Sequence, residues 1–123
     1  MFFIKTKIKG YLKNITENKA ENIDTTAIKN KNNITYIMND TVHRIAIKDN
    51  IVRLSRNNDE FSNELIFELN KEHSTEYFIK ELKTNVDFKI KTSHVNISNT
   101  KIEIKYQIID SNEEYEYLIE MSD

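Results

Sequence analysis

The chain contains no cysteine, no proline and no tryptophan, and a single glycine among 123 residues. Without thiols, disulfides, thiolate metal ligands and cysteine nucleophiles are all excluded. Without proline, every residue after the first keeps a backbone N–H, as strands paired on both sides require. One glycine cannot build a phosphate-cradling loop or a nucleophile elbow beside Ser55 or Ser74, which disfavours nucleotide binding and serine-hydrolase chemistry. Gly10 stands alone in an alternating stretch and is expected to mark a bulge or a close approach of two backbones. Long apolar runs are missing too. The opening Met1-Phe2-Phe3-Ile4-Lys5 has no basic leader and breaks early, so neither a signal peptide nor a membrane span is expected, and the compartment expected is the cytoplasm. In that compartment the sequons at Asn14, Asn33, Asn39 and Asn96 have no glycosylation role. They follow from an Asn, Lys and Ile bias of the kind an AT-rich bacterial genome imposes. The net charge is −2 with no basic block, which argues against nucleic acid. A Lys-rich beginning (residues 1–31) and an acidic end (residues 110–123) are expected to be solvated faces.

What the chain has is a two-residue beat. Apolar and polar residues alternate in Ile4-Thr6-Ile8, Leu65-Phe67-Leu69, Val86-Phe88-Ile90, Ile102-Ile104-Tyr106-Ile108 and Tyr115-Tyr117-Ile119. Side chains on a strand point to opposite faces with this period, so the pattern predicts a sheet wetted on one side. Strands are expected near 2–13, 22–30, 33–38, 42–48, 51–57, 61–70, 73–80, 86–97, 101–110 and 114–121. Short polar separators rich in Asn and Asp lie between them, and these residues tolerate the left-handed conformation of tight turns. Connections this short suit antiparallel hairpins. Helix formers over 59–83 offer a rival, but Phe61-x-x-x-Leu65-x-Phe67-x-Leu69 fits the strand spacing better. So many half-apolar strands must bury their faces against one another, as a small barrel or a folded-over sandwich; closure also removes the exposed edges, and the fold expected is one all-β domain over residues 1–123, an antiparallel up-and-down barrel of about 8–10 strands.

Polar residues in phase with the apolar ones then become informative. Arg56 shares its face with Val52 and Leu54, and Asn63 with Phe61, Leu65 and Phe67. His73, Thr75 and Tyr77 share a face with Ile79, and Thr92 follows Val86, Phe88 and Ile90. A hairpin closing over Asn57–Glu60 would set Arg56 opposite Phe61 and Leu54 opposite Asn63, and the polar groups would converge on one sector of the interior. A buried guanidinium needs a partner, water or an open end. Arg56 is therefore expected either to close one end of the barrel structurally or, with Asn63, His73, Thr75, Tyr77 and Thr92, to orient a small anionic or amphipathic ligand. His43, His73 and His94 lack the spacing that puts two ligands on one face, so no metal and no cofactor is expected. No acid–base pair stands out, and no enzyme is expected. Tyr115 and Tyr117 with Phe2, Phe3 and Tyr11 are expected to pack where the ends of the chain close the barrel, not to stack bases.

Several segments carry a resemblance. They are Val42-His43-Arg44-Ile45-Ala46-Ile47-Lys48-Asp49-Asn50-Ile51-Val52-Arg53-Leu54-Ser55-Arg56, then Glu64-Leu65-Ile66-Phe67-Glu68, Lys71-Glu72-His73-Ser74-Thr75-Glu76-Tyr77, Phe88-Lys89-Ile90-Lys91-Thr92 and Lys101-Ile102-Glu103-Ile104-Lys105-Tyr106. Over about residues 34–121 the succession resembles the YwiB-like family of cytoplasmic Firmicutes proteins. The resemblance implies a calycin (lipocalin-like) barrel, with no catalytic residues to carry over. Two places depart from that pattern: Leu82-Lys83-Thr84 stands where a Pro-Tyr-Gly turn is usual, and Asn57-Asn58 where a glycine is. The function expected is a carrier or sensor for a small apolar or amphipathic molecule, with no nucleic-acid or membrane partner. The alternative is an interaction module or homodimer using the outward-phase Phe78, Ile66, Ile109 and Leu118.

Overall fold

In the computed structural model, which describes residues 3–122, ten antiparallel strands follow one another round a closed barrel. They are β1 (Ile4–Asn14), β2 (Lys19–Asn30), β3 (Asn33–Met38), β4 (Thr41–Lys48), β5 (Ile51–Asn57), β6 (Phe61–Phe67), β7 (Glu72–Ile79), β8 (Thr84–Ile97), β9 (Lys101–Ile108) and β10 (Glu113–Ser122). Closure is made by β1 against β10, from Lys7↔Ser122 to Asn14↔Tyr115. The expected Phe2 start of the first strand, and Phe2 itself, lie outside the described residues. The stretch 59–83 is strand, turn and strand, as its spacing required.

Asparagine and aspartate do the work of the missing glycines. Seven of the nine residues with positive φ are Asn18, Asn39, Asp40, Asp49, Asn50, Asn70 and Asn112. Asn39-Asp40 and Asp49-Asn50 each place two left-handed residues in succession, the two-residue hairpin whose twist matches that of the strands it joins. Gly10 is not needed for φ. A Cβ there would sit 1.8 Å from the backbone oxygen of Leu118, so glycine lets β1 approach β10, the close approach expected of it.

The apolar phase points inward. Ile8, Ile34, Ile45, Val52, Leu65, Phe67, Ile90, Ile102, Ile104 and Ile119 are buried and form the core. Three terminal members of the predicted runs fall outside this core: Ile4 opens β1, Leu69 lies beyond β6 and Val86 near the start of β8, all exposed. On β8 a bulge between Thr92 and His94 switches the inward phase. Val95 and Ile97 therefore pack on the core, while His94 turns outward to Glu103 at 2.8 Å.

Two ladders are short, and these shape the rims. β2 pairs with β3 only over Ala27–Asn30, leaving Lys19–Thr26 bound to β1 alone. β6 pairs with β7 only over Phe61–Asn63. Up-and-down order puts the β1–β2, β3–β4, β5–β6, β7–β8 and β9–β10 turns at one rim, called the upper rim below. The start of β1, the end of β10 and the other turns form the lower rim.

Candidate functional site at the upper rim

The upper rim opens where β2 parts from β3. Glu21 and Ile23 stand on one side of the opening and Tyr36 and Met38 on the other; Leu12, His43, Leu54, Arg56 and Tyr117 complete the wall. The space they leave is about 20 Å³, room for one ordered water by the usual yardstick. Beneath it lie buried side chains of the core, among them Leu54, Tyr36 and Tyr117.

Arg56 is inward and half-buried on β5. Its Nε donates to Asn63 Oδ1 at 3.2 Å, and its guanidinium carbon lies 5.8 Å from the centre of the Phe61 ring. No carboxylate among the described residues pairs with it. Tyr36 and Tyr117 meet Oη to Oη at 2.7 Å, and His43 lies flat on Tyr36 at 4.4 Å. Burial pushes the Tyr36 phenol up to about 12 and holds Tyr117 well above its ordinary value, while Arg56 pulls both the other way. Burial, then the Arg56 charge, brings His43 down to about 4. The mouth thus holds the Arg56 guanidinium and the Glu21 carboxyl group, together with neutral phenols and a neutral imidazole at neutral pH. Two buried nitrogens near the guanidinium, Asn63 Nδ2 and His43 Nδ1, have no hydrogen-bond partner among the described residues.

The expected convergence of six polar residues is only partly met. Arg56, Asn63 and Tyr77 do share one sector: Asn63 faces Arg56 on one side and Tyr77 on the other, and Tyr77 stacks on Phe61 at 4.8 Å. The register that brings them together is two residues away from the one anticipated. Asn58 Oδ1 accepts from the N–H groups of Glu60 and Phe61, and Asn58 N–H reaches Phe61 O, so the turn closes one residue later. Arg56 therefore faces Asn63, and Leu54 faces Leu65.

His73 is not in this group. It is the second residue of β7, at the lower rim, bonded to Glu68 at 2.9 Å. Thr75 and Thr92 are inside the wall, at 1% and 0% exposure, opposite Phe88 and Tyr106. Their hydroxyls have no partner among the described residues. A buried hydroxyl without a hydrogen bond costs about 1–3 kcal/mol. Thr92→Val keeps the shape and removes that cost, so it should raise the melting temperature by a few degrees. A lower melting temperature would mean that the hydroxyl is bonded in solution.

The residues that complete the mouth, His43, Tyr36, Tyr117, Leu12 and Glu21, were not singled out from the sequence. His43 lies in phase with Ile45 and Ile47, the same signal that drew attention to Arg56. The aromatic cluster expected near the chain ends does not form as drawn. Tyr115 and Tyr117 point inward, Tyr115 stacking on Tyr106 at 5.2 Å, whereas Tyr11 points outward to Glu116 and Phe3 is exposed. Of the four outward apolar residues, Ile66 and Phe78 line one shallow groove over the short β6–β7 ladder, while Leu118 is on β10 and Ile109 in the turn before it.

No protein-family model matches the chain, and no curated protein matches it. Among solved structures it is similar to the crystal structure of the ywiB protein from Bacillus subtilis. The TM-score is 0.67 at 12% identity, over 98% of this chain and 92% of that one. The chain has a YwiB-like fold. An identity this low carries the fold and leaves the chemistry to the chain's own residues.

Proposed function

We propose that the chain is a non-enzymatic binding protein of the cytoplasm, a calycin-type barrel of the YwiB-like family. Its upper mouth holds the charged end of a small amphipathic anion. One observation carries the reading: Arg56, turned into the barrel, has a single side-chain hydrogen bond and no carboxylate counter-ion among the described residues. A guanidinium kept half out of water without a counter-ion lowers stability, and such an expense is commonly retained for binding. Leu54, Tyr36 and Tyr117, buried beneath the mouth, narrow the expectation of an apolar cargo entering deeply from this end. The ligand's charge sits at Arg56 and its apolar part extends outward along Leu12, Ile23 and Met38. Glu21 at the same mouth favours a singly charged ligand over a multiply charged one.

Native mass spectrometry of protein purified gently from its host tests the reading. The wild-type chain should retain a small anion that Arg56→Met loses. A wild-type chain that is ligand-free under the gentlest ionisation and unmoved in melting temperature by added anions would sink it. The second reading, an interaction surface or homodimer, draws on the Ile66–Phe78 groove. A concentration-dependent sedimentation coefficient abolished by Phe78→Ser would favour it.

A further inference from the structure

Resting on the mouth-binding reading, we infer that the ligand class is a monocarboxylate bearing an apolar tail, bound head-inward with its two oxygens on the free fork of Arg56. A guanidinium has five N–H groups in one plane. One is spent on Asn63, and the four on the Nη atoms have no protein hydrogen bond among the described residues. A planar fork with its Nε–H anchored matches the two oxygens of a carboxylate side by side. Asn63 is a positioning residue here: its Oδ1 fixes the plane of the fork from the neighbouring strand.

The surroundings select further. Tyr36 and Tyr117 share one hydrogen bond between two hydroxyls, which leaves one phenolic proton free to donate. His43 Nδ1, buried and unpartnered on the same wall, offers another donor when that nitrogen carries the imidazole proton. No second cation lines the mouth, and Glu21 does. A phosphate dianion would bring a second negative charge against that carboxylate. An alcohol of the same length would leave the guanidinium without a counter-ion. Below the fork the interior is filled by Leu54, Tyr36 and Tyr117, so the tail can only leave through the opening between β2 and β3, over Leu12, Ile23 and Met38.

Calorimetric titration of the full chain with octanoate, octyl phosphate and octanol, at fixed ionic strength and pH 7.5, decides this. Octanoate should bind at least tenfold more tightly than either of the others. Arg56→Met should weaken octanoate at least tenfold. Arg56→Lys, which keeps the charge but not the fork, should weaken it severalfold and serves as the test if the methionine variant does not fold. Octyl phosphate binding as tightly as octanoate, and lost in the Arg56 variants, would overturn the carboxylate assignment while leaving the anion reading standing. Octanol matching octanoate would overturn the head-inward placement on Arg56. Binding of none of the three would overturn both.

Discussion

Gly10→Ala is expected to lower the unfolding free energy by about 3 kcal/mol and the melting temperature by roughly 10 °C, at the top of the range for overpacking a core. Gly10 lies on β1 between Ile23 of β2 and Ile119 of β10. The added Cβ would meet the Leu118 carbonyl oxygen at 1.8 Å, its carbon at 2.7 Å and Ile119 Cα at 3.2 Å. All three are main chain, so no side chain can swing aside. Relief requires β1 and β10 to part, and they are the pair that closes the barrel. The sign is diagnostic. Gly10 carries no positive φ, and at such a position alanine ordinarily stabilises by about 0.4–1 kcal/mol through the unfolded chain. A thermal melt showing Gly10→Ala equal to or above wild type would mean that the two strands are not packed this closely.

Much of this architecture is legible in the residues because its signals are local. Ile102, Ile104 and Tyr106 alternate, and all three are buried. Asn39-Asp40 marks a turn by composition, and the chain turns there. The site was harder to see because it depends on register and on where ladders stop. The facing of Arg56 by Asn63 turns on a side-chain bond from Asn58 that shifts the β5–β6 hairpin by two residues. The bulge after Thr92 was written in the change of phase from Ile90 to Val95 and Ile97, but the even run before it masked the switch. The opening between β2 and β3 has no sequence signal of its own. It arises because β2 has twelve residues and β3 has six, so the upper half of β2 has no β3 residue to face. Arg56 was therefore identifiable as an inward cation, while the wall around it required the fold.

The second large effect is with pH. His43 is held at about 4 in the folded chain, first by burial and then by Arg56, against an ordinary value of 6.5. The unfolded chain thus takes up the proton first as pH falls. Between about 6.5 and 4 it binds more protons than the folded chain, so stability rises with pH across that window. The contribution is complete above 6.5, is lost progressively on acidification and levels off below about 4. At 1.36 kcal/mol per unit this amounts to no more than about 3 kcal/mol. Protonated His43 would face Arg56 with no carboxylate paired to either among the described residues, and Tyr36, stacked on it, is neutral in that range. Glu103 and Glu113 are held below the usual carboxylate range by His94 and by Asn14 respectively, so their losses fall at lower pH. Urea denaturation of wild type and His43→Phe at pH 7.5, 6, 5 and 4.5 isolates the histidine, because every other group cancels in the difference. The wild-type advantage should shrink steadily from pH 6.5 downward. Arg56→Met, by removing the repelling charge, should make the wild-type loss shallower. Parallel pH profiles for wild type and His43→Phe would show that the imidazole is protonated as readily inside the barrel as in the unfolded chain, and the mouth would then be wetter than its side chains imply.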